Sequence, residues 1–308
     1  AADSLLVQKN EGNISIAKDL NKLFLGQGGT LAVTGLSSIS TADMQTYRST
    51  LVAGGTGLIK YEGAAIEVSE TDKTASGNLK GTEAENTGAL LADTTVEYTT
   101  TGGTTEIQGG YGAETVLINN ANGNHTVNLT GDLTLLGDGT NLITVNEGAT
   151  LSTVTVDDNK ALNLGSAAAP SQGGNLGANV ELDGADSSLN AVAGDYTVGD
   201  VTGTGKVTAN TGANLNTGKI DANAVTADAA NIKATGDVTA GGITLAKGGS
   251  VTSEESITVN GSIEDADGTL QAGENITATD KDLTQADGGK LTVVAGGTIE
   301  AAGITATN

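Results

Sequence analysis

Isolated valine, isoleucine and leucine residues recur at a steady spacing in the last third of this chain, and this rhythm constrains the fold more than any other feature. Between Val207 and Ile304 there are 16 such positions, and the intervals between neighbours run from 5 to 8. Every third position gives steps of 18, 18, 20, 20 and 21 along the series Val207, Val225, Ile243, Ile263, Leu283 and Ile304. Periods of about 20 residues are typical of solenoids. The spacing therefore predicts a coil with three short faces and about 19 residues per turn.

The predicted fold is mainly β, a right-handed parallel β-helix in which each face is a strand of about three to five residues. Gly, Asn and Asp form the corners, and successive turns stack about 4.8 Å apart. In the stretch NIKATGDVTAGGITLAKGG, we expect Ile232, Val238 and Ile243 to point inward, one on each face. The corners of this turn are predicted at 235–237 and 240–242. A narrow interior leaves no room for Trp or Phe, which agrees with the 2% aromatic content.

Two other folds compete with the solenoid. A flat antiparallel sandwich rich in Gly and Thr is one, and disorder is the other, because 46 glycines and a net charge of −23 are compatible with a chain that does not fold. Disorder would not keep Val and Ile at a regular spacing. A sandwich needs longer alternating strands and usually some aromatic residues. The rhythm therefore favours the solenoid.

The chain divides into three regions by its pattern. Residues 1–60 are predicted to form a small capping or docking module with short helices, because Ile16, Leu20 and Leu23 make one helical stripe and Met44, Tyr47 and Leu51 make another. Residues 61–105 are predicted to be a β-rich connecting region with an exposed acidic loop at 69–88. Residues 106–308 form the predicted solenoid, interrupted near the only proline by a loop that leaves the body of the fold.

Charge and composition exclude several classes of function. With one Arg and 13 Lys among 308 residues, no basic cluster is present to bind phosphates, which argues against nucleic-acid partners and anionic membrane surfaces. The absence of cysteine excludes disulfides and thiolate chemistry. No apolar run approaches the length of roughly 18 residues that a membrane-spanning helix needs, so no such helix is predicted. The start AADSLL fits cleavage after a signal peptide, although removal of an initiator Met gives the same start.

The repeats VTGTGKVTANTGANLNTGKI and GSVTSEESITVNGSIE resemble those of bacterial surface-layer proteins and of the β-helical passengers of surface adhesins. The resemblance covers residues 110–308 and consists of composition and rhythm. Phage fibre and decoration proteins use similar repeats. The resemblance implies an extracellular protein at a cell surface or on a virion.

The sequence offers little for catalysis, and no catalytic or cofactor-binding residue is predicted. His125, the only histidine, is interpreted as a solvent-facing turn residue. The segment IEDADGTLQAGE places Asp265 and Asp267 at positions 3 and 5 of an EF-hand-like loop, but Ile263 occupies position 1, where such a loop needs Asp. An ordinary Asp-Gly turn is the preferred interpretation. A calcium ion at a solenoid corner, bound by these two aspartates, is the functional alternative.

These features predict a secreted structural protein that assembles with itself into a layer, sheath or filament. The end of a solenoid presents unpaired backbone groups that invite another copy, and the N-terminal module would be the matching surface in head-to-tail contacts. An adhesin or phage fibre that binds a receptor or a cell-surface glycan is the alternative. A polysaccharide-active enzyme is the remote one, since many acidic residues are present but no pair stands out.

Overall fold

The computed structural model describes residues 4–8, 30–34, 38–40, 58–61, 65–68, 90–99, 102–107, 111–119, 121–137, 140–167, 173–261, 263–285 and 289–305. The described residues form β-strands and turns, with no helix among them. In chain order the strands are β1 (Ser4–Gln8), β2 (Thr30–Thr34), β3 (Ser38–Ser40), β4 (Leu58–Tyr61), β5 (Ala65–Val68), β6 (Leu90–Thr99), β7 (Thr104–Ile107), β8 (Tyr111–Asn119), β9 (Gly123–Leu129), β10 (Leu133–Leu135), β11 (Thr140–Asn141), β12 (Ile143–Val145), β13 (Ala149–Asp157), β14 (Ala161–Leu164), β15 (Gly173–Asn175), β16 (Asn179–Asp183), β17 (Ser188–Ala191), β18 (Gly194–Thr197), β19 (Val201–Gly203), β20 (Lys206–Ala209), β21 (Ala213–Thr217), β22 (Ile220–Asp228), β23 (Asn231–Ala234), β24 (Val238–Ala246), β25 (Gly249–Ser253), β26 (Ile257–Val259), β27 (Ile263–Ala266), β28 (Gly268–Ala272), β29 (Ile276–Gln285), β30 (Leu291–Ala295) and β31 (Ile299–Thr305).

The chain consists of two compact units. The first comprises residues 1–137 and 141–151, and the second comprises residues 138–140 and 152–308. The predicted boundaries at 60 and 105 both lie within the first unit, and they stay predictions. The predicted solenoid region, 106–308, includes all of the second unit and part of the first.

The second unit confirms the predicted parallel solenoid. Its strands recur in the order face A, face B, face C, and each strand pairs in parallel with the strand of the same face one turn later. Face A runs from the end of β13 through β16, β19, the first part of β22 and of β24, β26, and the first part of β29 and of β31. Face B contains β14, β17, β20, the second part of β22 and of β24, β27, and the second part of β29 and of β31. Face C contains β15, β18, β21, β23, β25, β28 and β30.

The register of face B reproduces the spacing read from the sequence. Val207 pairs with Val225, which pairs with Ile243 one turn later, and Leu283 lies between Ile263 and Ile304 in the same way. One prediction missed its register on face C, where the residue aligned with Leu270 is Val293 and not Leu291. Leu291 and Val293 are two residues apart, so their side chains lie on the same side of β30. The alternation in the sequence therefore could not show which of them aligns with Leu270.

The solenoid has about eight turns of about 21 residues, somewhat longer than the predicted 19. The difference comes from insertions at corners. Leu162 and Leu189 are aligned on neighbouring turns although their positions differ by 27, since the segment around the only proline intervenes. Residues 168–172 of that segment, and with them the predicted loop tip, lie outside the described residues. Between β16 and β29, where the corners are short, the positions of aligned residues differ by 17 to 21.

The interior of the second unit is filled by two columns of apolar side chains per face, one mainly of Val, Ile and Leu and one in which Ala is frequent. Val and Ile suit these columns because their branched side chains pack on a pleated surface. Ile232 and Val238 have no exposed surface and Ile243 is 2% exposed, which confirms that they point inward, one on each face. Each face also sends a second residue inward, since Ala234, Ala240 and Leu245 have no exposed surface. The predicted corner at 235–237 is a turn, whereas 240–242 lies within the continuous strand β24, which passes from face A to face B.

In the described part of the second unit, one aromatic side chain is accommodated in the interior, although a narrow interior was expected to leave no room for Trp or Phe. Tyr196 on face C is completely buried. Its neighbour in register one turn earlier is Gly174, which has no side chain, and its neighbour one turn later is Leu215. A glycine in one turn therefore makes room for a large residue in the next.

The first unit also pairs its strands in parallel. β6 and β8 are aligned from Leu90 with Gly112 to Thr99 with Asn119, and β7 and β9 are aligned from 104 with 126 to 107 with 129. β1, β2 and β4 form a separate sheet of three parallel strands, and β3 pairs with β5. The helices predicted at 16–24 and 41–51 and the acidic loop at 69–88 lie outside the described residues, while the described parts of 1–60 are strands.

Candidate functional site

A ladder of side-chain acceptors follows the corner between face C and face A. In each case the side-chain oxygen of one turn accepts the backbone N–H of the equivalent residue one turn later. Asn179 Oδ1 accepts from the Asp200 amide at 3.0 Å, and Asp200 Oδ1 accepts from the Lys219 amide at 3.0 Å. The ladder resumes at Asp237, whose Oδ1 accepts from the Ser256 amide at 3.0 Å.

Two further steps complete this corner ladder. Ser256 Oγ accepts from the Asn275 amide at 3.4 Å, and Asn275 Oδ1 accepts from the Thr298 amide at 2.9 Å. Lys219 interrupts the series because an ammonium group cannot accept a hydrogen bond. Sequence reasoning missed these residues, although they recur with the period of the repeat and could have been found by aligning the turns. They satisfy corner amides that the short strands leave without a ladder partner.

A second ladder lies on the outer surface of face C. The Asn214 amide group donates to Asp195 Oδ1, the Asn231 amide group donates to Asn214 Oδ1 at 2.7 Å, and the Ser250 hydroxyl donates to Asn231 Oδ1 at 2.6 Å. The four side chains belong to four consecutive turns. These bonds fix the side chains of an outward row in a regular array, spaced by the distance between turns.

Stacked glycines allow the corners to approach one another closely. A Cβ on Gly273 would lie 2.0 Å from the carbonyl oxygen of Glu254 in the preceding turn, and a Cβ on Gly296 would lie 2.0 Å from the carbonyl oxygen of Gly273. Any side chain at these two positions would force the turns apart. Part of the high glycine content is therefore a packing requirement of the solenoid.

The charged side chains of the second unit form ion pairs between neighbouring turns. Lys206 contacts Asp186 at 2.7 Å, and Lys233 contacts Glu254 at 2.9 Å. Lys247 contacts Asp228 at 2.9 Å, with 70% of the Lys247 side chain exposed. Exposed pairs of this kind stabilise a fold by about 0–1 kcal/mol each. They offset repulsion among the many carboxylates more than they anchor the fold.

Of the calcium candidates, Asp267 lies at the corner between face B and face C, and Asp265 precedes this corner. Asp265 is in β27, and its side chain lies outside what the structure describes. Asp267 Oδ1 accepts a hydrogen bond from the Lys290 amide at 2.9 Å, and the Asp267 carbonyl oxygen accepts from the Gly248 amide at 3.0 Å. Asp267 thus has the same structural role as the aspartates of the corner ladder. Among the described side chains, no group of three acidic or histidine residues is placed to hold a metal ion. Calcium binding stays a prediction.

His125 is buried, which corrects the interpretation of this residue as solvent-facing. It is the first inward residue of β9, its side chain has no exposed surface, and Nε2 lies 2.9 Å from Thr105 Oγ1 on β7. Burial lowers the pKa of His125 below its usual 6.5. The polar surroundings in the sequence, NANGNHTVNL, concealed the alternation that places His125, Val127 and Leu129 on one side.

Other buried polar groups are few in the described part of the chain. Ser253, at the end of β25, donates to the Gly236 carbonyl oxygen at 2.8 Å and accepts from the Glu255 amide at 3.0 Å. Thr217, aligned with Ala234 in the next turn, is 4% exposed, and its hydroxyl has no hydrogen-bond partner among the described residues. Both residues lie at the end of a face C strand, where the chain turns towards face A.

Two large apolar side chains of the described residues are exposed, and both belong to the last described turn. Val294 on β30 is 45% exposed and Ile299 on β31 is 40% exposed. Ile299 is aligned with Ile276, which is fully buried one turn earlier. Ile299 therefore has the position of a core residue but is covered from one side.

The arrangement positions polar side chains for contacts between turns. In the ladders, amide, carboxylate and hydroxyl groups bond to backbone groups or to one another. Comparison with family models, with curated proteins and with solved structures found no significant match. The part of the chain that the structure describes also contains no helix long and apolar enough to be a transmembrane segment.

Proposed function

We propose that this chain is a structural protein of the cell exterior that assembles with copies of itself into a filament, sheath or layer. The observation that supports this best is the way in which one turn binds the next. Each turn offers a parallel strand edge on three faces, a set of inward apolar side chains and a row of corner acceptors. The next turn supplies the complementary amides. A turn of another copy can use the same chemistry.

The last described turn provides the apolar component of such a contact. Ile299 is exposed there, while the equivalent residue one turn earlier, Ile276, is buried. Covering an apolar side chain of this size contributes about 1.5–3 kcal/mol. A contact between different surfaces of two copies is heterologous and produces an open polymer when its rotation does not close a ring.

The charge of the chain suits assembly that depends on solution conditions. A net charge of −23 makes copies repel one another at low ionic strength, and divalent cations or salt would weaken that repulsion. Calcium is proposed here as a condition for assembly, with Asp265 and Asp267 as candidate ligands. We retain a right-handed sense for the solenoid, since a parallel β crossover is nearly always right-handed.

Assembly is tested with the 308-residue chain by light scattering and negative-stain microscopy, across salt concentrations and with or without calcium. Ile299→Asp places a carboxylate in the stacking surface, and it should raise the protein concentration needed for assembly by at least about tenfold. Thr226→Asp is the matched control, because Thr226 lies on the outer side of face B and the same charge is added. A wild-type chain that stays monomeric under all conditions contradicts the proposal.

An adhesin or phage fibre is the competing proposal, with a glycan or protein receptor as partner. The rigid outward array of Asp195, Asn214, Asn231 and Ser250 favours it to the extent that fixed polar groups are suited to recognising a repeating ligand. Such a protein would bind cells or glycans as a monomer. In a cell-binding assay, Ile299→Asp would then leave binding unchanged, whereas Asn231→Ala would weaken it.

A further inference from the structure

The only histidine of the chain occupies an unusual place for an ionisable side chain. His125 lies inside the first unit, on the same side of β9 as Val127 and Leu129, both of which are fully buried. On the paired strand β7, the inward residues are Thr105 and Ile107. On these two strands, the inward neighbours of the imidazole ring are thus the Thr105 hydroxyl and the apolar side chains of Ile107, Val127 and Leu129.

We propose that the β7–β9 strand pair is an acid-sensitive latch that opens locally when His125 takes up a proton. The neutral ring can accept a hydrogen bond from Thr105 or donate one to it, and the hydroxyl can rotate to suit either case. Protonation leaves this contact possible but adds a positive charge to an apolar interior. Burying a charge is expensive, so the protonated ring favours a conformation in which it reaches water.

The other described ionisable groups on these and the neighbouring strands are exposed or half-buried. Glu106 on β7 is exposed and lies on the outer side of the strand, and Asp132, after β9, is also exposed. In β13, a strand that pairs with β9, the one charged residue is Asp157 at the end of the strand. Glu114 on β8 is half-buried. Burial is therefore the main influence on the ring, and it holds the pKa of His125 below 6.5.

His125 follows directly after exposed residues, so its ring lies close to solvent although it is buried. Asn122, Gly123 and Asn124 immediately before it are exposed, and Gly123 has a positive φ of 55°. Fraying of the first residues of β9 is therefore enough to bring the ring to solvent. Further opening would uncover the apolar strip formed by Ile107, Val127 and Leu129, which the closed latch buries.

The direction of the pH dependence follows from the lowered pKa. In the open state the ring titrates near its ordinary pKa of 6.5, and in the closed state it titrates lower. The closed latch thus has its full stability above pH 6.5 and loses stability as the pH falls towards the closed-state pKa. At pH 5.5 the open population should increase by up to about tenfold over its value at neutral pH.

Amide hydrogen exchange of β7 and β9, measured between pH 7.5 and 5.5 and corrected for intrinsic rates, tests the latch. In the wild-type chain, protection of these strands should fall by up to about tenfold while protection of β22 and β24 stays constant. His125→Gln, which is neutral at every pH and keeps hydrogen-bonding capacity, should abolish the change. Thr105→Val should lower protection at all pH values but keep the pH dependence.

A direct titration covers the case in which His125→Gln does not fold. The single histidine gives one unambiguous pair of carbon-bound ring-proton signals in NMR spectra of the wild-type chain, and their common titration midpoint should lie below 6.5. A midpoint at or above this value would overturn the proposal. So would protection that is independent of pH, or a pH dependence that persists in His125→Gln. Because the latch lies in the first unit and assembly was assigned to the last turn of the second, either proposal can fail without the other.

Discussion

Replacing Thr217 with valine should stabilise the solenoid, although it removes a polar group from a protein built on hydrogen-bonded ladders. The Thr217 side chain is almost completely buried, and its hydroxyl has no partner among the described residues. A buried hydroxyl without a partner costs about 1–3 kcal/mol. Valine has nearly the same shape, so the substitution leaves no cavity.

The surrounding structure indicates that valine fits. Val198, which immediately follows the aligned pair Thr197 and Asn216, is a buried valine one turn earlier. The backbone contacts of Thr217 do not involve its side chain: its carbonyl oxygen accepts from the Thr235 amide at 3.1 Å. We therefore expect the free energy of local unfolding to rise by about 1–2 kcal/mol.

The assay must resolve individual turns, because solenoids unfold by nearest-neighbour units and a single global midpoint is not well defined. Amide hydrogen exchange of β21 and β23 should slow by a factor of ten for each increase of about 1.4 kcal/mol in the free energy of local unfolding. Thr105→Val is the matched control with the opposite sign, since that hydroxyl bonds to His125 and its loss should cost about 1 kcal/mol. Unchanged or faster exchange in Thr217→Val would refute the reasoning and indicate that the hydroxyl is satisfied, for example by an ordered water.

Four other substitutions test the turns around this site. Val238→Asp places a carboxylate among the buried side chains of face A and should unfold the adjacent turns. Lys233→Asp loses an exposed contact with Glu254 and should change the free energy of unfolding by less than about 1 kcal/mol. Circular dichroism and urea titration compare the two variants. Ala229→Gly should raise stability by about 1 kcal/mol in urea titration, because Ala229 has a φ of 49° that glycine adopts without strain; a loss would contradict this. Lys219→Asn should restore the missing step of the corner ladder, because an Asn side chain can accept from the backbone amide of Asp237 one turn later. Hydrogen exchange of that amide should slow by an amount equivalent to about 0.5–1.5 kcal/mol. Unchanged exchange would count against the ladder as a source of stability.

The period of the apolar residues was enough to predict the fold class and the inward residues of the regular turns. Isoleucine and valine that recur at this period have few alternatives to a stacked coil, since every face of every turn must bury apolar side chains. Ile232, Val238 and Ile243 were placed correctly for this reason. Where the corners lengthen, the period drifts, and Leu291 was chosen in place of Val293.

The polar residues were harder to place, because their roles depend on neighbours one turn away. Asp267 was interpreted as a turn residue or a calcium ligand, and the structure places its carboxylate on the Lys290 amide. Asn179 and Asp237 resemble any other corner residues until the turns are aligned. A search for side-chain acceptors at the repeat period would have revealed the ladder, but it requires the register first.

By itself, the sequence determined that residues 152–308 form a parallel solenoid, because the periodic apolar residues fix the number of faces and the approximate length of a turn. The tertiary structure alone decided what happens between turns. It buried His125, which the sequence had suggested was solvent-facing, left the Thr217 hydroxyl without a described partner, and placed Gly174 beside Tyr196. These outcomes depend on contacts between residues about one period apart, and local sequence patterns do not specify such contacts until the turns are stacked in register.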